Sequence, residues 1–305
     1  MMNVSARNRV VVFGSANQDQ ILAVDDFPAP GETIIAASSL RGLGGKGANQ
    51  AVAAARGGAH TLFVGEVGDD EAGDELVANL RENGIDTVWL QRSATEPTGS
   101  AVILVNAAGE NKIVVSPGAN STLSSTTLDS ALSTVTRDDV VVVQCEIPAA
   151  QVEHVVRDAA RTGARAILNL APYTRIDPAV FASVDLLVVN ESEARSLVGS
   201  PPDLAAAVVA VASCACVLTL GERGSIFATP DAAMTFVDAV LVEDVVDTTG
   251  AGDTYVGALA AAVARGERIP TAMAAASRAA ALSVATLGAQ PSSAAAPLHL
   301  TASKG

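Results

Sequence analysis

The sequence predicts an α/β protein of three layers, in which a mostly parallel central sheet lies between helices and a small β-sheet projects from it. Three observations predict this fold: short apolar runs alternate with longer Ala-rich runs, the apolar runs are unbroken, and two segments interrupt the series. Unbroken apolar runs are typical of strands that helices cover on both faces. Of the 305 residues, 49% are apolar, which is enough for a sizeable core.

Six short β-branched or aliphatic runs are the predicted strands. They lie at residues 10–13, 61–64, 140–143, 166–168, 186–189 and 217–220. The longer segments between and after them are the predicted helices, at residues 48–56, 71–83, 151–161, 191–197, 204–211, 254–265 and 271–285. Because strands and helices alternate, we expect a parallel sheet with helices on both sides.

Two segments do not fit this alternation. The first, at about 17–42, places prolines between two strand-like runs, and the second, at about 97–116, predicts a hairpin with strands at 101–105 and 112–115. We expect both segments to form one small sheet that is inserted into a single domain of residues 1–305. Such a sheet could cover a pocket and exclude water, and it could equally provide a contact between two copies of the chain.

The charge of the chain bears on its partners. The net charge is −14 and the isoelectric point is near 4.5, so nucleic acids and anionic lipid surfaces are repelled. The three cysteines are too few for a disulfide framework. The longest weakly polar stretch, residues 204–220, predicts a helix followed by a strand instead of a membrane span. We therefore expect a cytoplasmic protein with small-molecule partners and with neither nucleic-acid nor membrane partners.

A glycine-rich loop runs from Gly42 to Gly47 and leads into a predicted helix. Its glycines match G-x-G-x-x-G, but a dinucleotide site needs this pattern directly after the first strand. A Walker A loop is excluded, because Gly47 follows Lys46 where Ser or Thr is required. Backbone that a ligand can approach closely, with Lys46 and Asn49 as donors, suits a polyhydroxylated ligand. The alternative is a flexible turn at the start of a helix.

A second loop, from Asp247 to Asp253, also precedes a predicted helix. Gly250, Ala251 and Gly252 allow consecutive backbone N–H groups to point outward at the helix N-terminus, which makes an anion site without basic side chains. A carboxylate beside such a site repels a stored phosphate. Asp253 is therefore interpreted as a base that takes the proton of a hydroxyl group attacking that phosphate. The alternative is that Asp253 only caps the helix.

Two further turns, at residues 190–193 and 219–224, directly follow predicted strands. Ligands of open α/β sheets bind at the carboxyl ends of strands. The acidic residues of the first turn could orient a hydrated Mg²⁺ ion, or they could simply favour the positive end of the next helix.

Taken together and in this order, these loops resemble the signatures of the PfkB family of ribokinase-like carbohydrate kinases, over residues 10 to about 292. The segment Gly14-Ser-Ala-Asn-Gln-Asp19 looks like the first sugar-contact loop of that family, and Leu43-Gly-Gly-Lys-Gly-Ala-Asn-Gln-Ala51 is similar to its first signature. Residues 247–257 resemble its second and more diagnostic signature. Shorter matches lie at 26–28, 30–33, 190–193, 219–224 and 288–292.

The resemblance implies roles for individual residues. It implies that Asp253 is the catalytic base and that the N–H groups around Gly250, Ala251 and Gly252 stabilise the transferring phosphoryl group. The implied sugar contacts are Asn17, Asp19, Gly45, Lys46, Gly47, Ala48, Asn49, Glu146 and Asp253. The implied ATP contacts are Asn190, Thr219, Leu220, Gly221, Glu222, Arg223, Gly224, Gly252 and Asp253.

The resemblance also implies the reaction and its ions. The expected activity is ATP- and Mg²⁺-dependent phosphorylation of D-ribose at its 5-hydroxyl, with the small sheet acting as a lid and as a homodimer contact. A K⁺-type monovalent cation is expected in a loop near the C-terminus. Its implied ligands are Asp247, Thr249, Ser283, Thr286, Gly288 and Ser292.

Three other functions remain open from the sequence. The first is a related kinase: a kinase of phosphorylated sugars needs more basic residues than Lys46, and a nucleoside kinase needs an apolar or aromatic shelf although aromatic residues are only 3% of the chain. A nicotinamide-dependent oxidoreductase is supported by the glycine pattern and by Glu66, but it leaves residues 247–253 unexplained. A non-catalytic sugar sensor has no need of Asp253. The kinase hypothesis requires the Lys46 loop and Asp253 to share one cleft.

Overall fold

The computed structural model of the chain describes residues 9–286 and 288–290, in which two sheets and eight α-helices are found. The strands are β1 (Arg9–Phe13), β2 (Asn17–Ala23), β3 (Ser38–Gly44), β4 (His60–Gly68), β5 (Asp86–Ser93), β6 (Gly99–Val105), β7 (Asn111–Ser116), β8 (Val140–Gln144), β9 (Arg165–Asn169), β10 (Leu186–Asn190), β11 (Ala215–Thr219), β12 (Ser225–Ala228) and β13 (Met234–Val237). The helices are α1 (Lys46–Arg56), α2 (Glu71–Glu82), α3 (Ser125–Leu132), α4 (Ala149–Thr162), α5 (Glu191–Val198), α6 (Leu204–Ala212), α7 (Ala251–Ala264) and α8 (Ile269–Ser283).

Nine strands form the central sheet, in the order β13-β12-β11-β10-β9-β8-β1-β4-β5. The seven strands from β11 to β5 pair in parallel, whereas β12 pairs antiparallel both with β11 and with the edge strand β13. The prediction of a mostly parallel sheet is therefore confirmed. Because parallel strands end at the same edge, the loops that follow them lie next to one another in space.

Helices cover both faces of this sheet. Val11 and Phe13 of β1 belong to the core that α3, α4, α5 and α6 cover, whereas Val10 and Val12 belong to the core of α1, α2, α7 and α8. All four side chains are fully buried, since alternate residues of a strand face opposite layers. The predicted three-layer arrangement is confirmed. Among the described helices, none is long and apolar enough to cross a bilayer.

The small sheet has four strands in the order β3-β2-β6-β7. Strands β2 and β6 are parallel, and the two outer pairs are antiparallel. The chain enters this sheet four residues after β1 ends and leaves it two residues before α1 begins. The residues of β7 are exposed along its whole length. The two segments that interrupt the sequence pattern thus form one sheet beside the central one.

Four elements differ from the sequence expectation, because β5, α3, β12 and β13 are not predicted by it. The residues of β5 are mostly half-buried or exposed at the sheet edge, so they form no unbroken apolar run. Strand β11 ends at Thr219, one residue before its predicted end, because the N–H of Leu220 donates to the carbonyl of Gly224 at 2.8 Å. Helix α7 begins at Ala251, which places Asp253 inside its first turn.

Candidate active site

A cleft of about 120 Å³ lies between the carboxyl ends of β9, β10 and β11 and the first turn of α7. Its polar lining includes Lys46, Asn169, Asn190, Glu193, Thr219 and Asp253. Lys46 comes from the glycine-rich loop and Asp253 from a segment about 200 residues later. The two therefore share one cleft, as the kinase hypothesis requires.

The carboxylate of Asp253 is buried, with 7% of the residue exposed, and is held by two side-chain amides of α1. Asn49 donates through Nδ2 to Oδ2 at 3.0 Å, and Gln50 donates through Nε2 to Oδ1 at 2.9 Å. A buried carboxylate needs such donors to offset its loss of water. Both donors are neutral, so they fix the direction of the carboxylate without adding a positive charge. In this structure the amide of Asn49, an expected sugar contact, is therefore directed at Asp253.

The first turn of α7 faces the cleft. Gly250 precedes the helix with a φ of 75°, and a Cβ at this position would lie 2.6 Å from Cβ of Ala289, so the position requires glycine. The N–H of Ala251 donates to the carbonyl of Thr248 at 3.2 Å. The N–H of Ala251 is therefore engaged within the turn, whereas the N–H groups of Gly252 and Asp253 belong to the first turn of the helix, where backbone N–H groups have no partner within the helix.

The glycine-rich loop packs directly on the segment that follows β1. Gly45 has a φ of 86°, and a Cβ there would lie 2.7 Å from the backbone nitrogen of Asn17. The carboxylate oxygen Oε2 of Glu146 accepts the N–H of Lys46 at 2.9 Å and the hydroxyl of Ser15 at 2.5 Å. The N–H of Ala48 donates to the carbonyl of Ser15 at 2.8 Å. These bonds bring three separated sugar-contact segments together.

Asn17 is buried at the start of β2 and is oriented by a residue that the sequence analysis does not single out. Its Oδ1 accepts from Nδ2 of Asn120 at 2.7 Å, and Oδ1 of Asn120 accepts the N–H of Ala16 at 2.9 Å. Asn120 lies in a 3₁₀ turn, Gly118–Ser121, that follows β7. The only sequence signal for it is a polar residue in the turn after the predicted hairpin.

The surroundings of the site raise the pKa values of both Asp19 and Lys46. Burial, together with the nearby negative charges of Glu146 and Asp253, raises the pKa of Asp19 to about 7. Its Oδ1 is buried and has no hydrogen-bond partner among the described residues. The pKa of Lys46 is raised, chiefly by the charge of Asp253. A hydroxyl-bearing ligand would supply the donor that Asp19 lacks.

The expected ATP contacts lie at the ends of β10 and β11. Asn190 caps α5 through a reciprocal pair, in which its Oδ1 accepts the N–H of Glu193 and its own N–H donates to Oε2 of Glu193, both at 2.8 Å. Burial raises the pKa of Glu193. After Thr219 the chain forms the 3₁₀ turn Gly221–Arg223, which the N–H of Gly224 closes on the carbonyl of Gly221 at 3.0 Å. Asn190 and Thr219 line the cleft, whereas Leu220, Glu222 and Arg223 are outside its lining.

The expected cation loop is partly described. Oδ1 of Asp247 accepts the N–H of Thr249 at 2.8 Å, and Oδ2 accepts the N–H of Gly288 at 2.9 Å. The carbonyl of Ser283 accepts the hydroxyl of Thr286 at 3.0 Å. The structure thus brings five of the six expected ligands to one place. The sixth, Ser292, lies outside the described residues.

A set of side-chain amides surrounds Asp253, and the hydrogen bonds between them are absent from the sequence expectation. Gln50 donates to Oδ1 of Asn169 at 3.0 Å and accepts from Nε2 of Gln144 at 2.8 Å. On the other side, Gln290 donates through Nε2 to Oδ1 of Asn49 at 2.7 Å. These residues come from four distant parts of the chain, and amides do not titrate, so neither spacing nor charge marks them in the sequence.

One further cluster forms away from the cleft. Nε2 of His154 lies 2.7 Å from Oδ1 of Asp129 and 3.5 Å from Oδ2 of Asp158, on α3 and α4. The sequence shows no ligand spacing around His154, because Asp129 belongs to a different helix.

The oxidoreductase alternative loses support from the geometry. The glycine-rich loop follows β3 of the small sheet instead of the first strand of the central sheet, so it does not occupy the position of a dinucleotide fingerprint. The C-x-C pair Cys214 and Cys216 is buried, and burial raises the pKa of both thiols. Cys145, beside Glu146, is also buried, and its pKa is raised to about 12. These three thiols therefore stay protonated at neutral pH.

Comparison with known proteins is consistent with this geometry. The family model "pfkB family carbohydrate kinase" matches residues 7–296. The chain is 37% identical over 282 residues to a ribokinase of Bacillus subtilis, and the match covers 92% of this chain and 94% of that protein. A match of 36% to the bifunctional ribokinase/ribose-5-phosphate isomerase A of Fructilactobacillus sanfranciscensis covers 93% of this chain but only 54% of that protein. The structure of Arabidopsis thaliana ribokinase complexed with ribose and ATP is similar with a TM-score of 0.84 and 31% identity, covering 93% of this chain and 95% of that one.

Proposed function

The chain belongs to the pfkB family of carbohydrate kinases, and from this premise we infer that it transfers the γ-phosphoryl group of ATP to the 5-hydroxyl of D-ribose. The observation that carries this proposal is the buried Asp253, which shares a cleft with Lys46 at the N-terminus of α7. A base, a set of hydroxyl-binding groups and an anion site are thereby combined in one place. A sugar sensor needs only the hydroxyl-binding groups. An oxidoreductase needs neither the base nor the anion site in this arrangement.

The sugar is held by groups that match its hydroxyls. The carboxylates of Asp19 and Glu146 accept from hydroxyl groups, and Lys46 donates to them. Oδ1 of Asp19, buried and without a partner in the described structure, gains the donor that it lacks. Asn17, fixed by Asn120, provides a further polar contact on the same side. Gly45, Gly47 and Ala48 let the loop backbone lie close to the sugar.

Asp253 performs the proton transfer. One of its carboxylate oxygens takes the 5-hydroxyl proton as the oxygen attacks the γ-phosphorus, and the bond from phosphorus to the β–γ bridging oxygen breaks to release ADP. The N–H groups of Gly252 and Asp253 offset the negative charge on the transferring group, because they lie in the first turn of α7. The triphosphate is expected along the turn at residues 219–224, with Asn190 beside it.

Two ions complete the proposal. The half-buried Glu193, beside Asn190, fits Mg²⁺, which takes one or two carboxylates and keeps several waters; bound Mg²⁺ supplies positive charge to the triphosphate. Asp247, with the oxygens of Thr249, Ser283, Thr286, Gly288 and Ser292, fits K⁺, since this donor set is made of a carboxylate, hydroxyls and carbonyls. The ordered Asp247 carboxylate is the observation that supports this second site.

The small sheet is proposed as both lid and dimer contact, in the cytoplasm where ATP is available. The lid role is supported by the position of its strands, since β2 begins at Asn17 and β3 ends at Gly44, next to the proposed sugar contacts. Its β6–β7 hairpin exposes apolar side chains, including Val102, Ile113, Val114 and Val115. Apolar side chains exposed together at a sheet edge are typical of a surface that binds another protein chain. Burial of this surface against a second copy would remove it from water.

A substrate panel tests the function. The purified chain is assayed for ADP release with ATP, Mg²⁺ and K⁺, and with D-ribose, deoxyribose, fructose or adenosine, and the product is identified by ³¹P NMR. We expect the highest kcat/KM with D-ribose and a product phosphorylated at the 5-position. A preference for adenosine would favour a nucleoside kinase, and turnover of none of these would contradict a kinase of this class. Saturable NADH fluorescence without ADP release would instead support the oxidoreductase.

A further inference from the structure

A line of neutral amides leads from the surface helix α2 to the catalytic carboxylate. Asn79 on α2 donates through Nδ2 to Oε1 of Gln290 at 2.6 Å. Gln290 donates through Nε2 to Oδ1 of Asn49 at 2.7 Å, and Asn49 donates through Nδ2 to Oδ2 of Asp253 at 3.0 Å. Each amide therefore accepts on one side and donates on the other. We call the three residues Asn79, Gln290 and Asn49 the amide relay.

The direction of the relay is fixed by the carboxylate at its end. An ionised carboxylate accepts hydrogen bonds and donates none, so Asn49 must turn its NH₂ group toward Asp253. The carbonyl oxygen of Asn49 then faces Gln290, which must donate, and the oxygen of Gln290 faces Asn79, which must donate in turn. Rotation of any one amide by half a turn places two oxygens or two NH₂ groups against each other.

The opposite side of Asp253 is anchored independently. Gln50 donates to Oδ1 of Asp253, accepts from Gln144 and also donates to Asn169. Asn169 in turn donates to the carbonyl of Val188 in β10 at 3.2 Å. Gln50 is fully buried in this rigid setting. Asp253 is therefore held from two sides. The relay is the side that is more open to change, because Asn79 and Gln290 are only half-buried and lie near the protein surface.

We propose that Gln290 is a positioning residue for the phosphoryl transfer, which sets the orientation of Asn49 and through it the direction and basicity of Asp253. The proposal rests on the kinase function proposed above. Gln290 lies two residues after Gly288, whose N–H is held by Asp247. The end of that loop and the C-terminal part of α2 therefore both act on the base, although neither Gln290 nor Asn79 lines the cleft.

The test reverses the donor and acceptor directions of the relay by changing Asn79, its outermost residue. Asn79→Asp replaces the outer donor with a group that only accepts, so Gln290 and then Asn49 must rotate, and Asn49 presents an oxygen to Asp253. We expect kcat to fall about tenfold, which corresponds to ~1.4 kcal/mol, while KM for ATP stays within about twofold. A carboxylate that loses a donor is harder to ionise, so the acidic limb of the kcat/KM profile moves to higher pH.

Three controls separate the relay from other effects. Ala78→Asp places the same charge on the neighbouring, exposed residue of the same helix and is expected to leave kcat near that of the wild type. Gln290→Leu breaks the relay, so the additional effect of Asn79→Asp must vanish in the double variant Gln290→Leu/Asn79→Asp. Thermal unfolding of each variant reports whether it folds. A charge acting through space would lower kcat equally with and without Gln290.

A readout without turnover keeps this inference distinct from the proposed function. With ¹³C-labelled aspartate, the Asp253 carboxyl resonance is identified by its absence in Asp253→Asn and is titrated in the wild type and in Asn79→Asp. An upward shift of its midpoint in Asn79→Asp supports the relay even if D-ribose proves not to be the substrate. Unchanged midpoints, or a loss in kcat that persists in the double variant, would overturn the assignment of Gln290.

Discussion

The carboxylate of Asp19 lies directly against the backbone of Gly44, so that a Cβ at residue 44 would fall 2.0 Å from Oδ2. Asp19 is on β2 and Gly44 ends the adjacent strand β3. The clash would be with the end of a side chain, which can rotate, and not with backbone. A methyl group at residue 44 is therefore expected to displace the carboxylate while the fold is retained.

This relationship predicts the effect of Gly44→Ala. Losing a hydrogen bond from a sugar hydroxyl to a charged acceptor is expected to raise KM for the sugar by about tenfold or more. Gly42→Ala is the matched control, because a Cβ at residue 42 of the same strand meets nothing within 4 Å. Steady-state kinetics and thermal unfolding of both variants check the prediction. Equal KM values for the two variants would contradict it.

The raised pKa of Asp19 predicts a pH dependence of sugar binding. Because this pKa is about 7, the carboxylate is protonated below neutrality and loses acceptor capacity. We expect sugar affinity, measured calorimetrically without ATP, to rise as pH increases through about 7, and we expect Asp19→Asn to bind more weakly without this inflection.

The stability of the ligand-free protein should show the opposite trend. From the ordinary value of 3.8 up to about 7, the folded state binds a proton on Asp19 that the unfolded state does not, so the contribution of this group to stability falls as pH rises through that window. Asp19→Asn is accordingly expected to raise Tm at pH 8 and to have little effect at pH 4. A lower Tm of Asp19→Asn than of the wild type at pH 8 would show that burial of the Asp19 carboxylate does not destabilise the fold.

Replacement of Asp253 tests the catalytic base. Asp253→Ala is expected to lower kcat by ~10²–10⁴, which is the usual contribution of general-base assistance. Asp253→Asn keeps the shape of the side chain and should be similarly slow, while calorimetric binding of the sugar stays measurable. ADP release is the assay. Wild-type turnover in either variant would exclude Asp253 as the base.

The loop around Asp247 predicts a response to monovalent cations. We expect wild-type activity to be higher in KCl than in NaCl, and Tm to rise with KCl, because a bound ion stabilises the folded state. Asp247→Asn should lose both responses, since it removes the charge while one oxygen can still accept the N–H of Thr249 or of Gly288. If neither the activity nor the Tm of the wild type differs between KCl and NaCl, the proposed cation site is contradicted.

The apolar hairpin predicts a dimer through the small sheet. Val114 is 70% exposed and pairs with Val102 across β6 and β7. Val114→Lys is expected to convert the dimer to a monomer in analytical ultracentrifugation. Val211→Lys is the control, because Val211 is 52% exposed on α6 of the central layers. A monomeric wild type, or a Val114→Lys variant that remains dimeric, would contradict this interface.

The fold is largely predictable from the sequence where burial alone decides the pattern. The apolar runs of β1 and β8 are buried on both faces, so they are visible without any knowledge of their neighbours. Strand β5 is not, because an edge strand alternates with solvent and carries polar residues such as Gln91 and Arg92. Its place depends on pairing with β4, which no local pattern contains.

The site is predictable to the same extent. Lys46 and Asp253 lie in local motifs whose backbone requirements demand glycine, so the sequence marks them. Gln290 and Asn120 have no such mark, because their roles depend only on which distant amide they meet. The hydrogen bond from the N–H of Ala251 to the carbonyl of Thr248, where α7 begins, is likewise not contained in the sequence pattern.

Asn17 begins β2, Gly44 ends β3 and Lys46 begins α1, so the small sheet joins the central layers through residues that are proposed to contact the substrate. Only residues 14–16 and Gly45 separate its strands from β1 and α1 at this junction. Any swing of the small sheet must therefore change the positions of the sugar ligands at their own backbone. Under the proposed function, affinity for the sugar and access to the reaction centre therefore depend on the same few backbone positions, and a substitution at this junction should change both.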